Sequence, residues 1–253
     1  MDKTGIQSLS YLLLLIIPLV YLPRFLQREI QSIFLLITHQ PEISTVLFSL
    51  LFFPGILLHE SSHYLMAHLL GVKTGRFSLI PKKVGNGKLQ LGYVETATTD
   101  FVRDALIGAA PLLAGGLFVG YIGVARLEIN SLWVSLTQEQ ANSFRLAFMS
   151  IAEQPDLWLW FYLVFTVSST MMPSSSDRRA WLPLIIIILF ISGFLLLIGA
   201  GPWLFSKFEL IIQSALDAIT IVFGITVFIH IIILPPAWLI RKLLSRISGY
   251  QVV

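Results

Sequence analysis

The sequence predicts an all-α polytopic membrane protein of about six transmembrane helices, with one small β-hairpin at the membrane interface. Three observations carry that expectation. Of 253 residues, 56% are hydrophobic and only 12% charged, at a mean hydropathy of +0.82, which is more apolar surface than a soluble domain of this length can bury. Several apolar runs approach the ~20 residues needed to cross a bilayer. Only residues 71–99 have the alternation and turn residues of strands. No internal repeat, low-complexity tract or linker divides residues 1–253, so a single integral membrane domain is expected.

Taken in order, the first span covers about residues 7–22. Tyr21-Leu22-Pro23-Arg24 follows it, not a small-x-small cleavage site, so it reads as an uncleaved span. Residues 24–42, with Arg24, Arg28, Glu29 and Glu42, read as an amphipathic piece lying on the surface. The second span, about 45–70, contains Pro54 and Gly55, which predict a kink just before His59. Between two strand-like runs, 77–81 and 89–96, lies a polar turn centred on Asn86-Gly87, the signal of a hairpin. A lone hairpin is marginal in water, so this one should lean on the membrane interface beside the second span.

The third span, about 102–125, carries Gly108-Ala109-Ala110-Pro111-Leu112-Leu113-Ala114-Gly115-Gly116, small residues that let helices approach closely. A longer polar connection, 126–156, leads to a fourth span at 157–172. A fifth at about 181–205 and a sixth at about 215–240 follow, and then a basic tail with Arg241, Lys242 and Arg246.

Composition excludes some functions. The net charge is +3 and the pI about 9.2, but the basic residues are scattered among loops without a dense, aromatic-laced patch, so nucleic acid is not an expected partner. With no cysteine, any metal must take nitrogen and oxygen ligands. With the N-terminus inside, twelve of the Lys and Arg residues fall on the inner side and five on the outer. The positive-inside rule thus puts both termini in the cytoplasm, as suits a prokaryotic cytoplasmic membrane.

One stretch organises the chemistry. His59-Glu60-Ser61-Ser62-His63 is an H-E-x-x-H motif inside the second span. Residues four apart on a helix share a face, so His59 and His63 can meet one metal ion while Glu60 reaches a water on it. Ionisable groups in a membrane helix are costly, about 2.5–3.5 kcal/mol each on insertion scales, which argues against an idle role. A catalytic zinc site takes three protein ligands and leaves one position open. Asp177, at the end of the fourth span and on the same expected side as the motif, is the leading third ligand, with pairing to Arg178 or Arg179 as its alternative. His230 and Asp217 are looser candidates, and His68 is turned away from the histidine pair.

These residues, in this order, resemble the site-2 protease family of intramembrane zinc metalloproteases. The likeness runs along residues 44–180: H-E-x-x-H in the second span, a strand-rich segment, an Ala110-Pro111 segment in the third, and Pro173 with Asp177 after the fourth. It implies a six-span core, Zn2+ held by His59, His63 and Asp177, Glu60 as general base, and a transmembrane protein as substrate. The family's G-P-x-x-N pattern reads Ala110-Pro111-Leu112-Leu113-Ala114 here, and the asparagine of its N-x-x-P-x-x-x-L-D-G pattern falls at Ser169. Glu60 would take a proton from the zinc-bound water and pass it to the leaving amine. An extended substrate could pair with the edge of the hairpin. Ser168, Ser169 and Thr170 are the nearest candidates to stabilise an oxyanion. Two other classes compete: a proteolytically inactive relative with a structural or assembly role in a membrane complex, and a metal-ion transporter, which would need more polar residues across several spans.

Overall fold

The computed structural model describes residues 3–84, 88–127, 141–154, 156–199 and 201–250. Helix α1 (Lys3–Thr38) runs for 36 residues through both Pro18 and Pro23. The expected break after residue 22 is absent, and the piece expected on the surface continues the same helix. Each proline removes one ladder bond, a loss that neighbouring helices make tolerable in a membrane bundle. The continuation is held from afar: α1 packs along α8 (Gly201–Ser248), where buried Glu29 is ion-paired with Arg241.

His39, at φ 53°, turns the chain out of α1, and Pro41 opens α2 (Pro41–Leu51). Helix α3 (Phe53–Leu69) then leaves α2 at 73°. The expected kinked span is therefore a broken one, and the break falls at Phe52 instead of after Pro54. Pro54 cannot continue a helix whose carbonyls it would strike, but it fits the first turn of a new one, where its missing N–H has no duty. Phe52 is fully buried, its ring against Phe48 and Phe165 at 4.6 and 5.4 Å. Gly55 does not loosen the helix but lets α6 (Leu157–Thr170) press on it: a Cβ there would lie 2.3 Å from the Thr166 carbonyl oxygen. Gly71, at φ 68°, ends the helical path after Leu70.

The hairpin is two short antiparallel ladders in series. Strands β1 (Thr74–Ser78) and β4 (Tyr93–Thr96) pair next to α3, in the register Phe77 to Val94 and Ser78 to Tyr93, with a bulge between Thr74 and Phe77. Strands β2 (Lys82–Val84) and β3 (Lys88–Gln90) form the second ladder, and the Asn86-Gly87 turn lies outside the described residues.

Helix α4 (Phe101–Ala125) is capped by Asp100, whose carboxylate accepts from the Val102 and Arg103 N–H groups, and it passes unbroken through Pro111. Its small residues bring helices together as expected: a Cβ on Gly115 would meet the Met171 side chain at 2.5 Å. Helix α5 (Ala141–Ala152) occupies part of the polar connection, whose residues 128–140 are outside the described set. Helix α7 (Trp181–Leu197) closes earlier than the expected fifth span: Gly199 turns the chain at φ 76°, and α8 begins at Gly201. The expected sixth span is the middle of α8.

The chain is thus helical and membrane-like, with one small strand region. Among the described residues three helices are long and apolar enough to cross a bilayer, or four if the bent pair α2–α3 counts as one span; α6 and α7, at 14 and 17 residues, are shorter. The core forms where α1, α3, α4, α6 and α8 converge, around Phe52, Val119, Val164 and Ile225.

Candidate metal centre

On α3, His59 and His63 stand one turn apart with Nε2 atoms 3.3 Å from each other. Each ring is oriented by its other nitrogen. Nδ1 of His59 donates to the Thr170 carbonyl at 2.7 Å, and Nδ1 of His63 donates to the Ile107 carbonyl at 2.8 Å. A carbonyl only accepts, so both protons belong on Nδ1 and both Nε2 lone pairs face the same point. Two lone pairs in that arrangement repel unless a cation lies between them.

Asp177 supplies the third donor, with Oδ1 3.6 Å from His63 Nε2 and Oδ2 3.9 Å from His59 Nε2. One ligand atom from each of the three residues falls within 4.8 Å of the others, so His59, His63 and Asp177 are able to hold a metal ion. Metal–ligand bonds of about 2.0–2.2 Å in tetrahedral geometry place ligands about 3.3 Å apart, close to these separations.

The loop after α6 presents Asp177 through its own turn. The Ser174 N–H donates to Oδ2 at 2.7 Å, and the Asp177 N–H donates back to Ser174 Oγ at 3.3 Å. Burial alone would raise the Asp177 carboxyl, but its contacts with His63 and Ser174 hold it down at about 2, so it is an anion near neutrality. Neither arginine beside it is its hydrogen-bond partner. Arg179 forks onto Asp104 of α4 with two bonds of 2.7 Å, and Arg178 Nε donates to the Ser174 carbonyl. Gly108 completes the seat, since a Cβ there would lie 1.9 Å from the Asp177 carbonyl oxygen.

Glu60, 8% exposed, faces the strand region. Gly92 lies against it: a Cβ at Gly92 would come within 2.8 Å of Glu60 Cγ and 3.0 Å of Oε1. Glu60 and the three ligand candidates line one cavity of 760 Å3. Its walls are the Leu19, Val20, Pro23, Arg24 and Gln27 face of α1, the Leu91 to Val94 segment, and the loop before α7.

The remaining candidates lie elsewhere. His68 is exposed, its ring stacked near Tyr64. Asp217 is exposed on α8 and does not line the cavity. His230 is fully buried, with Nδ1 bonded to the Thr226 carbonyl and Nε2 to Ser169 Oγ, so both nitrogens are engaged away from the centre. The expected oxyanion donors need correction. Ser168 and Thr170 turn their hydroxyls back onto carbonyls of α6 at 3.2 and 3.0 Å, and Ser169 Oγ lies between the Phe165 carbonyl at 2.7 Å and His230 Nε2 at 3.0 Å, where its single proton serves one or the other.

Sequence reasoning missed the groups around the ligands: the Thr170 and Ile107 carbonyls, Ser174, Gly92 and the Arg179–Asp104 fork. The Gly108 region was visible as a small-residue run, but not which residue it receives. Arg24, assigned by the six-span reading to the outer side, lines the same cavity as Asp177, assigned to the inner. No family model, curated protein or solved structure matches the chain.

Proposed function

We propose that the protein is an intramembrane zinc metalloprotease, similar to the site-2 proteases, which hydrolyses peptide bonds of membrane-embedded substrates. The observation that carries this reading is the convergence of two Nδ1-anchored histidines and Asp177 in a cavity that Glu60 also lines. Zinc suits a cysteine-free set of two imidazoles and one carboxylate, and when bound it supplies Lewis acidity that lowers the pKa of a coordinated water towards ~7. Glu60 takes the proton from the attacking water and hands it to the departing amine nitrogen, so the C–N bond breaks as the new C–O bond forms. The burial of Glu60 against Gly92 limits its motion to the cavity side. No second strand pairs with β4 on its far side among the described residues, so an unwound substrate segment lying beside Leu91 to Val94 would gain main-chain hydrogen bonds without demanding a sequence.

In this reading α1, α2–α3, α4, α6, α7 and α8 are six spans, both termini are cytoplasmic and the membrane is a prokaryotic cytoplasmic one. The shorter α6 and α7 would be completed by their flanking loops. A second reading, a proteolytically inactive subunit with an assembly role, is favoured by one observation: the hydroxyls of Ser168 and Thr170 are bonded to their own helix and that of Ser169 is held between the Phe165 carbonyl and His230.

The test is zinc content per chain in detergent-purified wild type, Glu60→Gln and Asp177→Ala, alongside cleavage of a transmembrane reporter. Stoichiometric zinc in the first two, its loss in the third, and cleavage by wild type alone are expected. Zinc without cleavage by wild type would favour the assembly role, and absence of zinc would end the protease reading.

A further inference from the structure

The wall that α1 contributes carries a charge that nothing in the proposed chemistry uses. Gln27 fixes this wall to the metal centre: its Nε2 donates to the Ser169 carbonyl at 2.7 Å, and the adjacent Thr170 carbonyl orients His59. These are two of the carbonyls a helix leaves unpaired at its C-terminal end, and here one accepts from a ligand and the other from α1. Arg24 precedes Gln27 by three residues and so shares its face of the helix. It lines the cavity, is exposed, and has no hydrogen-bond or ion-pair partner among the described residues.

A charge count over the cavity walls isolates it. Arg179 and Asp104 neutralise each other through their two bonds. His59, His63, Glu60 and Asp177 gather at the candidate metal centre, and none of them is bonded to Arg24. The guanidinium of Arg24 is left without an ion pair among the described residues, exposed at the cavity wall and free to meet a ligand that enters there. Its planar fork matches a carboxylate.

Resting on the protease reading, we infer that Arg24 is a specificity-determining residue that selects substrates with an acidic side chain near the cleaved bond. The carboxylate seats on the α1 wall while the backbone lies toward β4. Since Gln27 holds α1 to the end of α6, the distance between this subsite and the metal is fixed, and the acidic residue is required at one offset from the cleaved bond.

The test uses zinc-loaded Glu60→Gln protein in nanodiscs of zwitterionic lipid, and labelled transmembrane peptides with Glu, Gln or Lys scanned through the positions around the reporter's cleavage site. The Glu peptide should bind roughly 10- to 100-fold more tightly than the Gln peptide at one position only. Adding Arg24→Gln should abolish the preference, Arg24→Lys should keep part of it, and Arg24→Glu should transfer it to the Lys peptide. Zinc content of each variant shows that the centre is intact. Equal affinities for Glu and Gln at every position, a preference unmoved by Arg24→Gln, or no binding by any peptide would each overturn the inference. Cleavage of the same peptides by wild type is read separately, so an acid preference without cleavage would sink the protease and leave Arg24 as a binding determinant.

Discussion

Helices α3 and α7 are both 17 residues long and both apolar, yet they share little else. Helix α3 buries Gly55, Ile56, Glu60, Ser62, His63 and Ala67, whereas α7 buries none of its residues. Each contains a glycine, Gly55 in the first turn of α3 and Gly193 in the last third of α7, and the contrast between the two is instructive. Gly55 lies where a Cβ would be 2.3 Å from α6, while a Cβ on Gly193 would find nothing within 4 Å. Hydrophobicity would favour a bilayer for both helices but cannot dock them there, since lipid tails are as apolar as leucine. Docking comes from close backbone approach, and in this chain the close approaches at Gly55, Gly92 and Gly108 all surround the candidate metal centre.

The comparison breaks most visibly at Gly108. Gly108→Val drives side-chain atoms into the Asp177 carbonyl, so the ligand loop must leave its seat. Overpacking of this kind costs about 1–3 kcal/mol, and zinc binding should be lost while the protein stays in the membrane. Zinc retained at one equivalent would show that the loop does not depend on this contact. Gly92→Ala acts on the other side of the site: the three atoms nearest its new Cβ all belong to Glu60, so Glu60 is what it displaces first. Reporter cleavage should fall on the order of 100-fold, the effect of misplacing a reacting group by about 1 Å, with zinc content unchanged. Loss of zinc together with activity would mean that Gly92 supports the whole centre and not Glu60 alone.

Asp104→Asn is a milder perturbation, because it leaves the loop sequence intact and weakens only the fork to Arg179. The arginine side chain is 61% exposed, so the pair contributes up to about 1 kcal/mol, and zinc affinity measured by chelator competition should drop by up to about tenfold. An undiminished affinity would place the fork outside the metal's support. At the far end of the comparison, Gly193→Ala should stabilise α7 by up to about 1 kcal/mol through helix propensity alone, with cleavage unaffected. A destabilised protein would reveal a partner for α7 that the monomer does not show.

The same contrast explains what the sequence revealed. The histidine pair and Glu60 were legible because their relation is local: a four-residue spacing on one helix fixes a shared face. Asp177 was legible through chemistry, since a site with two histidines and no cysteine lacks a donor. The supports were not legible. Gly92 against Glu60, Gly108 against Asp177 and the Ile107 carbonyl on His63 are contacts between distant segments, and a glycine or a carbonyl in sequence does not say what it faces. The break at residue 22 was misplaced for the same reason. Polar Arg24 and Glu29 read as a membrane boundary, but Glu29 is buried against Arg241 and Arg24 lines a cavity.

The smallest expected effect lies at the N-terminus of α4, the helix that carries Ile107 and Gly108. Asp100 caps it, whereas α7 starts at Ala180 with no side-chain cap. The Arg103 N–H foremost, with that of Val102, holds the Asp100 carboxyl below its ordinary value. A group whose native pKa is depressed contributes stability above its unfolded pKa of about 3.9 and loses it as pH falls through the native value. Asp100→Ala should therefore lower Tm in detergent by a margin that is constant from pH 8 to about 5 and shrinks below about 4. Asp100→Asn keeps an oxygen for the cap without the charge, so its difference from the Ala variant should not vary with pH. A wild-type advantage over Ala that grew on acidification would reverse the sign argued here and remove the cap's charge as its cause. A cap that sharpens α4 but not α7 would extend the contrast to the helix ends: the helix that holds the ligands in place is fixed at its start as well as along its face.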